Sequence, residues 1–388
     1  MIVAGFSACS DDGPPTEPDP TPTLEQRLQT ILDEAVRTDS LTGAMLTVVQ
    51  PGTVDWSGAS GLSRRPDVAL RPEESFRCGS VTKYLAAVIA LQLVEEEDLS
   101  LDQTLDGLLR ASLVDSLPAG ETITIRMLLN HTSGLADYAE NPALGQGILA
   151  DPERKWTPEE LIGLALALEP AGTPGQRWSY ASTNYVLLEL VLEAVSGKPF
   201  DRLLAERIIV PLGLTHTRLP SNSAIDGAHG YQDVEGDEAL EDMTFLDPSY
   251  LRAAGGVVST TRELTLVSRA LWRYELLSSS SVQAMQQTVP TEQPFATYGL
   301  GLTVLFGSYY GHAGIVPGYT SGLFYWPEED VTVALAINQG GRESAGLALL
   351  LRVMSLFVTA DVQPTSSSDV PGPGWSFGSG SQVAFPLR

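Results

Sequence analysis

Lysine is nearly absent from this chain. Among 388 residues there are three, Lys83, Lys155 and Lys198. Basic residues as a whole are outnumbered, 23 against 48 acidic ones, for a formal net charge of -25. A surface this acidic repels phosphate backbones and anionic lipids, which argues against nucleic-acid binding. The acidic residues are spread along the chain rather than massed in a tail, so they read as a solvated surface and not as a cation trap. Cysteine is scarce as well, with Cys9 and Cys78 alone. Two cysteines build no disulfide framework, and neither has metal-ligand spacing. The four histidines, His131, His216, His229 and His312, form no HExxH-type pattern, so neither a metal nor another cofactor is expected. No apolar run reaches the length of a membrane span.

Hydrophobic residues make up 43% of the chain, enough for a sizeable core. Residues 1–9, MIVAGFSAC, read like the end of an apolar signal segment. Phe6-Ser7-Ala8-Cys9 approximates a lipobox, whose cysteine becomes acylated. No Lys or Arg precedes it and the apolar stretch is short, so an export signal and a chance match both stay open. Residues 10–23 are rich in Pro, Asp and Thr; they build no core and read as an extended tether, which supports export. The expected location is exported: periplasmic, extracellular or lipoprotein-anchored at the cell envelope. Membrane contact is expected only through a lipid anchor at Cys9.

Order is expected from Leu24, where Leu24, Leu28, Ile31, Leu32 and Ala35 recur at helical spacing. Gly43 to Val49 and Thr53 to Ser60 read as a hairpin turned by Pro51-Gly52. Near the other end, Ser321 to Trp326 and Val331 to Asn338 read as two strands, followed by a helix over roughly Glu343 to Val358. The middle is mostly helical, with many Pro and Gly loops. The pattern predicts a mixed α/β (α+β) fold: an antiparallel sheet built from both chain ends, flanked by helices, with a helical insertion over about 78–250. The expected domain covers 24–360, and the Ser/Gly/Pro-rich residues 361–388 read as a flexible tail.

Residues 75–94 read SFRCGSVTKYLAAVIALQLV. After Gly79 the segment is apolar nearly all round, the mark of a buried helix. Ser80 sits at its start, and Lys83 follows three residues later on the same face. A buried ammonium is disfavoured, so its pKa falls and the amine becomes able to take the serine proton. The helix N-terminus adds positive potential where an oxyanion forms. The competing account is a serine N-cap beside an ordinary lysine. S-x-x-K is a short pattern, but it occurs once here, and it uses one of three lysines.

Two further segments carry chemistry. Residues 177–192, RWSYASTNYVLLELVL, place Tyr180-Ala181-Ser182 just before another apolar helix. A phenol near a lysine ammonium is held partly ionised and can act as a general base. Residues 310–320, YGHAGIVPGYT, contain the chain's single H-x-G, His312-Ala313-Gly314. A glycine on an edge strand lets a substrate approach the backbone. His131, in Asn130-His131-Thr132-Ser133-Gly134, reads as loop structure. Cys78 reads as a buried small hydrophobe.

S-x-x-K, then Y-x-(N/S), then H-x-G, in this order, resembles the serine β-lactamase and penicillin-binding protein superfamily. The resemblance is to its class C β-lactamase-like branch and to secreted D-alanyl-D-alanine carboxypeptidases; family VIII carboxylesterases are similar as well. The connectors ITIRMLLNHTSGL (123–135), AAGGVVSTTREL (253–264) and YGLGL (298–302) look like that branch. The resemblance covers roughly 24–360 and implies a β-lactamase/transpeptidase-like fold. It implies Ser80 as acylated nucleophile and Lys83 and Tyr180 sharing the acid/base work. His312 stands where relatives carry lysine or histidine. The backbone N–H groups of Ser80 and Ile315 would form the oxyanion hole, and Ser182, Ala313 and Gly314 would line the substrate site.

The expected activity is that of an acyl-serine hydrolase of D-alanyl-D-alanine carboxypeptidase type, acting on a small-molecule or peptide substrate such as peptidoglycan peptides or β-lactams. A carboxylesterase and a non-enzymatic binding or sensing relative remain the alternatives. Departures bear on the choice. Where related carboxypeptidases hold a terminal carboxylate with two threonines and an arginine, this chain has Ala313, Ile315 and Thr303, and Ser182 replaces an asparagine. An ionised carboxylate leaving water needs charge-assisted donors. Arg177 and Arg252 are the candidates to replace the missing charge.

Overall fold

The computed structural model describes residues 21–358. Cys9, where an anchor is expected, and residues 361–388, expected as a tail, lie outside the described residues. The first helix, Leu24–Thr38, starts at a capping box. Thr23 Oγ1 accepts from the Gln26 N–H, and the Gln26 side chain accepts from the Thr23 N–H. Leu28, Leu32 and Ala35 form its buried stripe.

The chain builds a nine-stranded antiparallel sheet. Its spatial order is Val68–Ala69, Val54–Arg64, Gly43–Gln50, Val331–Ile337, Tyr319–Trp326, Tyr309–Val316, Thr303–Leu305, Ala296–Tyr298 and Val289–Pro290. The two ends of the chain therefore meet near its middle: Gly43–Gln50 pairs with Val331–Ile337, Ala44 opposite Ile337. The predicted hairpin is present and runs to Arg64. The last helix is Glu343–Met354, one turn shorter than its periodicity predicts. Between Ala69 and Val289 the chain leaves this sheet and is mostly helical.

Helices cover both faces of the sheet, and this explains the strand sequences. Residues 331–337, VTVALAI, are all buried, as expected of a strand covered on both sides. Val333, Leu335 and Ile337 join the cluster under the first and last helices. Ala334 and Ala336 join the cluster on the opposite face, where the helix Thr261–Trp272 packs against the strand. The helix Val81–Glu95 lies in that same cluster, buried from Val81 through Leu91. Its all-round apolar character thus matches its surroundings.

Two glycines let this helix meet the sheet. Gly79 sits at φ +54, in the left-handed region. A Cβ there would lie 2.7 Å from the Ile315 nitrogen, and one at Gly314 would lie 2.0 Å from the Cys78 carbonyl oxygen. The strand Tyr309–Val316 therefore touches the residues before the helix backbone to backbone. Ser321 Oγ donates to that same Cys78 carbonyl at 2.7 Å and pins the contact.

Two outcomes are expected. Leu32→Ala removes a fully buried side chain and should cost about 2–5 kcal/mol of stability in urea unfolding. A loss under about 1 kcal/mol would mean that the first helix is not part of the core. Gly79→Ala should keep its far-ultraviolet dichroism but slow labelling of Ser80 by a fluorophosphonate by ~10²–10³-fold, because the added methyl pushes away the Ile315 N–H. An unchanged labelling rate would refute the close-approach account.

Candidate active site

Ser80 is the first residue of the turn that opens the helix Val81–Glu95, and its side chain makes no capping bond. The N-cap account of this serine is therefore set aside. Its Oγ instead accepts from Lys83 Nζ at 3.0 Å. Lys83 is fully buried. It also donates to the Ala254 carbonyl at 2.7 Å and reaches Ser182 Oγ at 3.5 Å. Three oxygens thus surround three ammonium hydrogens. Burial lowers the Lys83 pKa below the ordinary 10.5, and the charge of Asp137 partly opposes this. Asp137 is buried too, which raises its pKa.

The loop before the helix Thr183–Ser196 delivers Tyr180 and Ser182. The Tyr180 ring centre lies 4.9 Å from Lys83 Nζ, close enough for the ring to feel the cation. Ser182, like Ser80, makes no capping bond with its side chain. His312 stands on the strand Tyr309–Val316, its ring centre 6.4 Å from that of Tyr180. The structure therefore brings Ser80, Lys83, Tyr180, Ser182 and His312 together, from segments more than 200 residues apart in sequence. His312 is neutral in this setting: burial, then the Lys83 charge, pushes its pKa down to about 3.

A cleft of about 280 Å³ of empty space, open to solvent, lies beside Ser80. Ser80, Ser182 and Ile315 line it together with Tyr138, Tyr250 and Leu251. Val316 lines it as well, whereas Ala313 and Gly314 do not. Ala313 instead belongs to the cluster on the far face of the sheet. Its side chain points to the face opposite His312, as alternation along a strand requires. A role for Ala313 and Gly314 in the substrate site remains an expectation, beside the Ile315 and Val316 that line this cleft. Gly314 also serves the backbone contact with Cys78.

Neither candidate arginine enters the cleft. Arg177 donates to the Ala171 carbonyl, and Arg252 pairs with Glu189. Among the described residues the cleft lining carries no charged side chain. Cys78 is buried, and burial raises its thiol pKa, so it is an inert packing residue.

Sequence reasoning passed over three participants. Ala254 supplies a carbonyl to Lys83, and its segment is bolted alongside the nucleophile: Cys78 N–H donates to the Val257 carbonyl, and Val257 N–H donates to Thr82 Oγ1. His131, set aside as loop structure, is fully buried against Tyr180, with ring centres 4.3 Å apart. Tyr298, from YGLGL, bonds His312. The available signal was their place in the connectors, not their chemistry.

The geometry suits acyl transfer. A buried amine of lowered pKa touches a serine hydroxyl at a helix N-terminus, with a second backbone N–H, that of Ile315, alongside. Comparisons agree. A family model described as Beta-lactamase matches residues 28–353. Penicillin-binding protein 4 of Amycolatopsis lactamdurans is 31% identical over 183 residues, 47% of this chain and 46% of that protein. Esterase EstB of Burkholderia gladioli is 30% identical over 204 residues, 49% of this chain and 50% of that protein. The chain thus spans about half the length of these two relatives. A solved D-stereospecific amidohydrolase from Streptomyces sp. superposes with a TM-score of 0.75 at 31% identity, covering 87% of this chain and 99% of that one. One fold hosts these different activities. On the family match and the geometry together, the chain belongs to the beta-lactamase family of serine hydrolases.

Proposed function

We propose that this protein hydrolyses esters or amides that present no terminal carboxylate to the cleft, through an acyl-enzyme on Ser80. The carrying observation is the charge-free lining beside Ser80: tyrosine and aliphatic side chains, with both candidate arginines bound elsewhere. A substrate ending in a free carboxylate would lose its water there without gaining a guanidinium. The esterase and amidohydrolase relatives support this reading.

The reaction follows from the oxygens around Lys83. In the neutral amine, two N–H bonds go to the Ala254 carbonyl and the Ser182 hydroxyl. The lone pair then faces Ser80. As Ser80 Oγ attacks the substrate carbonyl carbon, its proton passes to Lys83, with Tyr180 close by to share the transfer. The oxyanion forms against the Ser80 and Ile315 N–H groups. Collapse breaks the bond to the alcohol or amine leaving group, which takes the proton. Water then attacks the Ser80 ester by the same route in reverse, releasing the acid and restoring Ser80.

A rate panel tests the substrate class. The kcat/KM for a neutral p-nitrophenyl ester and for a D-amino-acid amide should exceed that for a D-Ala-D-Ala peptide. Losing one charge-assisted bond costs about 1.5–3 kcal/mol, or roughly 10–100-fold. Faster turnover of the D-Ala-D-Ala peptide, or of nitrocefin, would overturn the proposal. Ser80→Ala should abolish fluorophosphonate labelling; equal labelling of both proteins would remove Ser80 as nucleophile.

The pH dependence has a definite sign. Lys83 works unprotonated, so kcat/KM should rise with pH through its lowered pKa and level off before the ordinary lysine value of 10.5. Lys83→Arg keeps a permanent charge and cannot take the proton, so the rate should fall by ~10²–10⁴ at every pH. A rise still continuing at pH about 10 would contradict a buried, depressed Lys83.

A further inference from the structure

The acylation scheme leaves a chain of buried side chains behind Tyr180 unused. His131, Tyr298 and His312 are each at most 3% exposed. His131 takes a left-handed backbone conformation, φ 60, and its ring centre lies 4.3 Å from that of Tyr180. His131 Nδ1 accepts from the Ala181 backbone N–H at 3.2 Å and from the Asn184 side-chain amide at 3.0 Å. A backbone N–H only donates, so Nδ1 is bare, and the proton of the neutral ring sits on Nε2. That N–H donates to Tyr298 Oη at 3.2 Å. The Tyr298 hydroxyl in turn donates to His312 Nε2 at 2.7 Å. His312 therefore carries its proton on Nδ1, which donates to the Ala313 carbonyl at 2.5 Å. A carbonyl only accepts. The direction of each bond is thus set by one backbone group at either end: the N–H next to Tyr180 and the carbonyl next to His312.

We infer that His131 and Tyr298 are positioning residues: they lock His312 as a neutral imidazole protonated on Nδ1 and hold Tyr180 in place over Lys83. Both ring nitrogens of His312 are then occupied, so His312 takes no proton during turnover. The groups facing this chain agree with that. From the nucleophile helix, Lys83 places its charge near both histidines; from the helix Thr183–Ser196, Tyr185 adds a neutral phenol; Asp137 acts on Lys83 from the neighbouring turn. Burial is the larger cause in both histidines, and it lowers both pKa values. A neutral group at this position leaves Lys83 to gain the charge when it takes the Ser80 proton. The inference rests on the reading of Ser80, Lys83 and Tyr180 as the reacting set.

The test uses the whole chain, nitrogen-15 NMR of the histidine rings, and ester hydrolysis across pH. In the wild type, His312 should show one neutral tautomer protonated on Nδ1, with no titration above pH about 5. Tyr298→Phe frees Nε2, so the His312 titration should move up by about one unit or more. In that variant kcat should fall roughly 10–100-fold, with KM changing less than about threefold. His131→Gln, whose side-chain amide can still donate to Tyr298, should recover part of the kcat that His131→Leu loses. A wild-type His312 protonated on Nε2, or one that titrates near neutrality, overturns the inference even if every variant misfolds. So does a Tyr298→Phe variant with unchanged spectra and kcat. Failure of the reading beneath it looks different: fluorophosphonate would not label wild-type Ser80, while the ring spectra would still report the tautomer.

Discussion

A lysine ammonium deep in the most apolar helix of the chain is the constraint around which the rest is arranged. Removing such a charge from water costs several kcal/mol unless its hydrogens find partners. Lys83 finds three oxygens, and each comes from a different part of the chain: Ser80 one turn earlier, Ser182 from the loop after Tyr180, and Ala254 from the connector that runs beside the nucleophile. The same burial that makes the charge costly lowers the pKa of the amine.

The architecture serves this contact. A sheet whose middle strands come from opposite ends of the chain fixes the strand Tyr309–Val316 independently of the helical stretch. The start of the helix is then brought against that strand closely enough for the backbones around Gly79 and Gly314 to touch. Side chains at positions 79 and 314 would keep the segments apart, and glycine at both removes that obstacle. The positive φ of Gly79 is one that a residue with a Cβ adopts at a cost of about 1–2 kcal/mol.

Charge is withheld from the substrate side of the site. His312 is neutral, Arg177 is tied to a backbone carbonyl, and Arg252 is paired with Glu189. The acidic surface, so prominent in the composition, does not reach the cleft lining among the described residues.

Much of this was legible in the sequence, for local reasons. Ser80 and Lys83 are three residues apart, so helical geometry alone places them on one face, and the scarcity of lysine marks the pair. The hairpin 43–64 and the first helix are likewise set by alternation, by Pro51-Gly52 and by the Thr23–Gln26 capping pair, all within a few residues. The order Tyr180 then His312 pointed to the fold through resemblance. Other features depend on contacts that no local pattern encodes. His131 meets Tyr298 across 167 positions and Lys83 meets Ala254 across 171. The resemblance placed Ala313 by the substrate, and only the fold shows its side chain packing in the cluster on the far face of the sheet. By itself the sequence determined which groups can react and which elements carry them, because those depend on residue type and short-range geometry. Only the tertiary structure decided what surrounds each group: the oxygens that hold Lys83, the tautomer of His312 and the absence of charge from the cleft lining. Solvation and pKa depend on neighbours brought in from distant parts of the chain.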